Sequence, residues 1–290
     1  MTPPVPRDPF AAFAVGRRPG DGPAEMVQQL GPGLTDHRGL IDLPALTVLF
    51  DDVGGVPFFR SGTGATIQAR LSMSAQGRPR VDEQVLGSAE AALAEGDSGA
   101  STVSLRGDRL YCIGIARSVR IGHDPVDLGG LDRLPEPVSP AAAAPVPEHD
   151  PSGPGRELVE AIAVGRAPRG ALADLFDVRL RLDGDALVTE VDTATWMGNY
   201  LGTMHGGVIA STVAQALSFA AETTTRAGVG YQLTEFTIDF LRSPAVDGRT
   251  VTVRARPIKT GRRVSVFEAQ LYDGDVLLAH ATAEAQFESV

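Results

Sequence analysis

The sequence predicts an α+β chain made of two similar halves, each a single buried helix wrapped by a strongly curved antiparallel sheet. Three observations carry this expectation. The stretch from Val208 to Ala221 is apolar on nearly every face of a helix, which marks a helix buried all round. Four long alternating segments follow it, separated by turn residues, and the region before residue 122 repeats the order of one apolar helix and a run of strands.

At 290 residues with 43% hydrophobic residues, the chain is long enough for two ordinary cores. The expected divisions are an N-terminal domain over 1–122, a Pro/Ala-rich linker over 123–152 and a C-terminal domain over 153–290. The linker carries eight prolines between Gly122 and Gly155 around Ala141–Ala144, a composition that cannot bury much surface. A short repeat spans it: Ala14-Val15-Gly16-Arg17-Arg18-Pro19 returns as Ala163-Val164-Gly165-Arg166-Ala167-Pro168, as expected of a duplication.

In the first half, Asp42 is placed to cap a helix whose next residues, Leu43-Pro44, put proline in the first turn, where its missing N–H is not needed. The apolar run Leu43–Phe50 should end at Gly54-Gly55. Residues 66–74 alternate strictly, with Ile67, Ala69, Leu71 and Met73 on one face, and strands are expected near 80–86, 100–105 and 109–120. The segment before the helix is shorter than its counterpart, so a full hairpin is not expected there.

In the second half, residues 176–182 and 186–191 read as a hairpin around Asp183-Gly184-Asp185. A helix over 206–223 follows. Strands over 231–242, 250–259, 263–272 and 276–287 are set off by Val246-Asp247-Gly248, Thr260-Gly261 and Asp273-Gly274-Asp275.

The most informative segment is Asn199-Tyr200-Leu201-Gly202-Thr203-Met204-His205-Gly206-Gly207, running straight into the second-half helix. A polar loop, two glycines and a helix start place unhindered N–H groups at a positive helix end, where a carbonyl oxygen can be polarised. This stretch resembles the signature of hotdog-fold acyl-CoA thioesterases of the phenylacetyl-CoA and 4-hydroxybenzoyl-CoA type, with asparagine six residues before histidine and a His-Gly-Gly helix start. The segment 237–245 is similar to that family's strand after the helix. The resemblance spans roughly 174–287 and, more faintly, 25–121, and implies a double hotdog.

Single-domain members of that family carry a catalytic Asp or Glu nine residues after the motif histidine. Here that position is Ala214, followed by Gln215, whereas aligning the two helices sets Asp42 opposite His205, Asp36 opposite Asn199 and Asp51 opposite Ala214. Nine helical residues span roughly 13 Å, too far for one helix to supply both the amide and the acid for a single thioester. The resemblance implies that partner helices lie side by side, so the expected site joins the Gly206 end of the second helix to Asp51 of the first.

The expected roles follow. Asp51 is the nucleophile or general base, with Asp52 the alternative, because adjacent helical residues point about 100° apart and only one should face the cleft. Gly206 donates its N–H to the thioester oxygen. Asn199 orients water or substrate with both donor and acceptor. Thr66 stands where related enzymes carry a Ser or Thr that steadies the water. His205, Gly207 and Gln215 are assigned to substrate binding, His205 by fixing the loop rather than by proton transfer. Arg60, Arg242, Arg262 and Arg263 are the arginines available to CoA phosphates.

Other classes are disfavoured. With 26 basic against 36 acidic residues and a formal charge of -10, general nucleic-acid binding is not expected. No stretch is long and apolar enough for a membrane span, and the proline-rich start has no signal-peptide pattern, so a cytoplasmic protein is expected. The single Cys112 excludes an internal disulfide. His37, His123, His149, His205 and His280 lack ligand spacing, so no metal is expected; with no phosphate loop and no Gly-x-Ser-x-Gly elbow, neither is a cofactor. The expected partner is an acyl-CoA, and further homo-oligomerisation is left open. The rival readings are an acyl-CoA or acyl-ligand binding protein without turnover and, less favoured for want of an Asp and His pair, hydration of an enoyl-CoA.

Overall fold

The computed structural model describes residues 5–22, 24–122, 124, 133–148 and 150–289. Among the described residues the α-helices are α1 (Pro9–Phe13), α2 (Thr47–Arg60), α3 (Gly155–Ala163), α4 (Ala171–Leu175) and α5 (Gly206–Glu222). The strands of the first half are β1 (Val15–Gly16), β2 (Glu25–Gln29), β3 (Thr66–Ala75), β4 (Gln84–Glu95), β5 (Ser98–Arg106) and β6 (Leu110–Arg120). Those of the second are β7 (Arg179–Asp183), β8 (Ala186–Asp192), β9 (Val229–Phe240), β10 (Thr250–Lys259), β11 (Val264–Asp273) and β12 (Val276–Ser289).

All twelve strands join one antiparallel sheet in the order β1-β2-β4-β5-β6-β3-β9-β12-β11-β10-β8-β7. Counted from either outer edge inward, the two halves have the same order, and β3 pairs with β9 at the centre, Leu71 opposite Ile238 and Met73 opposite Phe236. The long helices α2 and α5 pack on the sheet and on each other. From Gly207 to Glu222 every residue of α5 is buried, as its all-round apolar sequence requires.

The halves correspond at a constant interval, the one that aligning the two helices gave and not that of the 14–19 repeat. Gly16 pairs with Val27 in β1–β2 and Arg179 with Glu190 in β7–β8, both positions 163 residues on. The same interval relates the 3-10 turns Pro32–Leu34 and Thr195–Met197, the caps Asp42 and His205, and the left-handed residues Ala14 (φ 50°) and Asp177 (φ 48°). The repeat at 14–19 and 163–168 is therefore not the structural equivalence: Val15 begins β1, whereas Val164 caps the end of α3.

Several local expectations change. A first-half hairpin exists, but β1 is only two residues long. Asp42 does cap a 3-10 turn over Leu43–Leu46, its side chain accepting from Leu43 N–H, and α2 then continues past Gly54-Gly55 and Pro57 to Arg60. Gly54 serves contact rather than termination, because a Cβ there would stand 2.6 Å from Ala116 Cβ. The alternation of β3 breaks at a bulge between Gln68 and Arg70, which leaves Ile67 exposed and turns Gln68 toward α2. Cys112 is buried in β6, and that burial pushes its thiol up to about 12.

Parts of the expected linker, including His123 and His149, lie outside the described residues. Residues 133–148 are exposed or half-buried throughout, in keeping with a composition that cannot bury much surface. They form a strap along the first half, where Gly33 N–H donates to Pro140 O (2.9 Å) and Ser139 Oγ to Leu30 O (3.1 Å). No helix among the described residues is long and apolar enough to cross a membrane.

Candidate active site

The loop before α5 is built by its own asparagine. Asn199 Oδ1 accepts from Leu201 N–H (2.9 Å), Thr203 N–H (3.2 Å) and Thr203 Oγ1 (3.4 Å), so its acceptor is spent on the turn rather than left to a ligand. Tyr200 ties the loop to the other half, its hydroxyl donating to Thr66 O (2.8 Å) and accepting from Thr66 N–H (3.3 Å). The loop ends at His205, the cap of α5.

Here the two halves meet. Asp51 of α2 is 5% exposed, and its Oδ2 accepts from Gly207 N–H at 2.5 Å, where the positive end of α5 favours a carboxylate. Asp51 Oδ1 is buried with no hydrogen-bond partner among the described residues. His205 lies between two acids, Nδ1 3.3 Å from Asp51 Oδ2 and Nε2 3.2 Å from Asp52 Oδ1. Contrary to the expectation that one aspartate turns away, both line the cleft: an imidazole has nitrogens on opposite sides and spans the angle between neighbouring helical residues.

Electrostatics follow from this crowding. Burial pushes the Asp51 carboxyl up to about 7; the His205 charge opposes this and the neighbouring Asp52 adds to it. For His205 burial acts downward, yet the two aspartates outweigh it and carry the imidazole up to about 9. Near neutrality His205 is thus charged and both ring N–H groups donate. Its Nδ1 then cannot accept from Gly207, and that amide belongs to Asp51.

The glycines have separate reasons. A Cβ on Gly206 would stand 2.8 Å from Asp51 Oδ2, and one on Gly207 would stand 2.6 Å from Val48 Cα. Gly206 lets the acid reach the helix end; Gly207 lets the helices close. The Gly206 N–H has no protein acceptor among the described residues and borders the cleft.

The cleft has a volume of about 660 Å³. Asp52, Gly55, Val56 and Phe59 line it as a stripe along α2, faced by Phe10 and Phe240. Thr66, Asn199 and His205 border it, as do Arg7, Arg133 and Arg242; Arg60, Arg262 and Arg263 do not.

Gln215 is not part of this cleft. It is buried on α5 beside a second crevice with Asp36, His37, Asp42 and Pro44, the counterpart 163 residues away, where only about 10 Å³ remains. His37 fills that space: its ring stacks on Phe219 at 4.6 Å and its Nε2 meets Glu222 Oε2 at 3.0 Å. Arg38 is buried beside it, bridging Asp36 (2.6 Å) and Asp42 (2.7 Å) and lying 3.9 Å over the Tyr231 ring.

Sequence reasoning missed Phe10, Gln68 and the role of Tyr200. Gln68 Nε2 donates to Asp51 O (3.0 Å) and its Oε1 accepts from Ser118 (2.8 Å), steadying the turn of α2 that carries Asp51; the bulge hid it. Phe10 precedes every motif, and nothing in its spacing points to the cleft. The Asp and His pair was also missed, since its members are 153 residues apart.

Residues 201–280 match the thioesterase superfamily profile. Comparison with curated proteins gave no match. Among solved structures, a conserved hot dog fold protein of unknown function from Alicyclobacillus acidocaldarius is 13% identical, with 97% of this chain and 98% of that chain covered and a TM-score of 0.64. The tesB protein of Mycobacterium avium subsp. paratuberculosis is 12% identical over 96% and 97%, with a TM-score of 0.63. A thioesterase candidate from Novosphingobium aromaticivorans is 14% identical over 94% and 98%, with a TM-score of 0.61. The structural likeness thus runs the length of the chain, and the thioesterase superfamily match covers residues 201–280.

Proposed function

We propose that this chain is a double hotdog that hydrolyses acyl-CoA thioesters at one composite site between its halves, releasing a carboxylic acid and CoA. The observation that carries the reading is Asp51: a buried carboxylate fixed through one oxygen by the helix end of the other half, its second oxygen unpartnered, beside the unengaged Gly206 N–H. The thioester oxygen would accept from Gly206, gaining stabilisation as negative charge develops there. Asp51 then takes a proton from water as water attacks the carbonyl carbon, or attacks that carbon itself and forms an anhydride that water opens. In the first route the proton taken from water passes to the sulfur as the C–S bond breaks; in the second CoA leaves as its thiolate and is protonated by a proton released when water opens the anhydride. Charged His205 holds both aspartates in place, and Thr66 and the amide N–H groups of Asn199, whose oxygen is spent on the loop, border the same cleft for positioning.

A second reading, ligand binding without turnover, draws on the same contact, because Asp51 Oδ2 already caps α5. CoA release from short, medium and aromatic acyl-CoAs separates the two. Wild type should turn over at least one, and Asp51→Asn should lower kcat by about a thousandfold, within the range of a lost base. Tight binding of the panel with no CoA released would decide for the binding protein. The His205–Asp52 contact also fits acid–base work on an enoyl thioester, so loss of the 2,3-double bond is followed in the same assay.

A further inference from the structure

Helix α1 carries two phenyl rings with different surroundings. Phe13 is fully buried and meets Phe176 edge-on at 6.1 Å, and Phe176 in turn meets Trp196 at 5.4 Å. Phe10 is half-buried, stands edge-on to the His205 ring at 6.2 Å, and lines the open cleft. The helix packs on α2 of one half and on the Thr195–Met197 turn of the other, so its position is fixed across the site.

The second half supplies an internal comparison. At the interval of 163 residues, Phe13 corresponds to Phe176, which keeps the ring, whereas Phe10 corresponds to Ala173, buried beside the closed crevice. The element is fastened by the ring at the shared position and forms without one at the other. The Phe10 ring packs on the core only in part, and its remaining face occupies space in the cleft beside His205.

We propose that Phe10 is a specificity-determining residue, its ring limiting the bulk of the acyl group that can reach Asp51 and Gly206. This rests on the thioester reading above. An acyl group that is unbranched next to its carbonyl passes the ring; one that is branched or cyclic there meets it, and apolar pockets discriminate such differences by about tenfold or more.

The test compares wild type with Phe10→Ala and Phe10→Trp on unbranched and α-branched acyl-CoAs of equal carbon number. Phe10→Ala should raise the branched-to-unbranched ratio of kcat/KM about tenfold, and Phe10→Trp should lower it. Equal ratios in all three proteins would overturn the proposal while leaving hydrolysis intact. If wild type releases no CoA, the hydrolytic reading fails separately, and the Kd ratios of the corresponding non-hydrolysable thioethers decide for Phe10 by the same criterion. Circular dichroism should show Phe10→Ala folded, as alanine at the equivalent position of α4 leads one to expect.

Discussion

At the scale of single residues, the site is an arrangement of charge that only burial makes useful. On the proposed mechanism, Asp51, pushed up to about 7, serves as a base as pH rises through that value, so kcat/KM should climb across the same range; His205, near 9, keeps its proton until higher pH and should set a fall beyond it. Asp52 raises both groups. Asp52→Asn should therefore move both limbs of the pH profile to lower pH, and an unmoved profile would remove Asp52 from the site's electrostatics. Gly206→Ala would bring a methyl carbon to 2.8 Å from the carboxylate oxygen; kcat is expected to fall about a hundredfold with little change in melting temperature.

Among elements, the decisive contact is between α2 and α5. Gly207 permits it, and alanine there would press on the Val48 backbone at 2.6 Å, where no flexible group can yield. Gly207→Ala should therefore lower stability by about 1–3 kcal/mol in urea unfolding and lower activity with it, unlike Gly206→Ala. These elements differ in how legible they were. Helix α5 and strands β10 to β12 were readable because period and turn chemistry agree over long stretches. The end of α2 was misread at Gly54-Gly55 because those glycines serve contact with the sheet, and the inner face of β3 was misread because a bulge changes register without altering the visible alternation. Asp51 was reachable from helix alignment, whereas Gln215 was assigned to the same cleft although α5 carries it to the other crevice.

For the whole molecule, the two crevices related by the 163-residue interval differ, one open at about 660 Å³ and the other nearly closed at about 10 Å³. The counterpart crevice has Ala214 where α2 has Asp51 and Pro44, which has no N–H, where α5 has Gly207, and it is filled by His37 and its partners. Calorimetric titration with a non-hydrolysable acyl-CoA thioether should give one site per chain. Ala214→Asp should create no second activity, because Ala214 is completely buried; an unpaired carboxylate there should cost more than about 3 kcal/mol in urea unfolding. Two sites per chain, or activity restored by Ala214→Asp in an Asp51→Asn background, would refute the single-site account.

By itself the sequence determined the repeated helix-and-sheet plan and the glycine-bearing start of α5, since hydrophobic period, turn residues and capping act over a few neighbouring residues. Only the tertiary structure decided that Asp51 and Asp52 share His205, that Phe10 reaches the cleft, and that one crevice is open and the other closed. Those outcomes depend on side chains more than a hundred residues apart being desolvated together, and no local pattern records which distant charge or ring will occupy the same space.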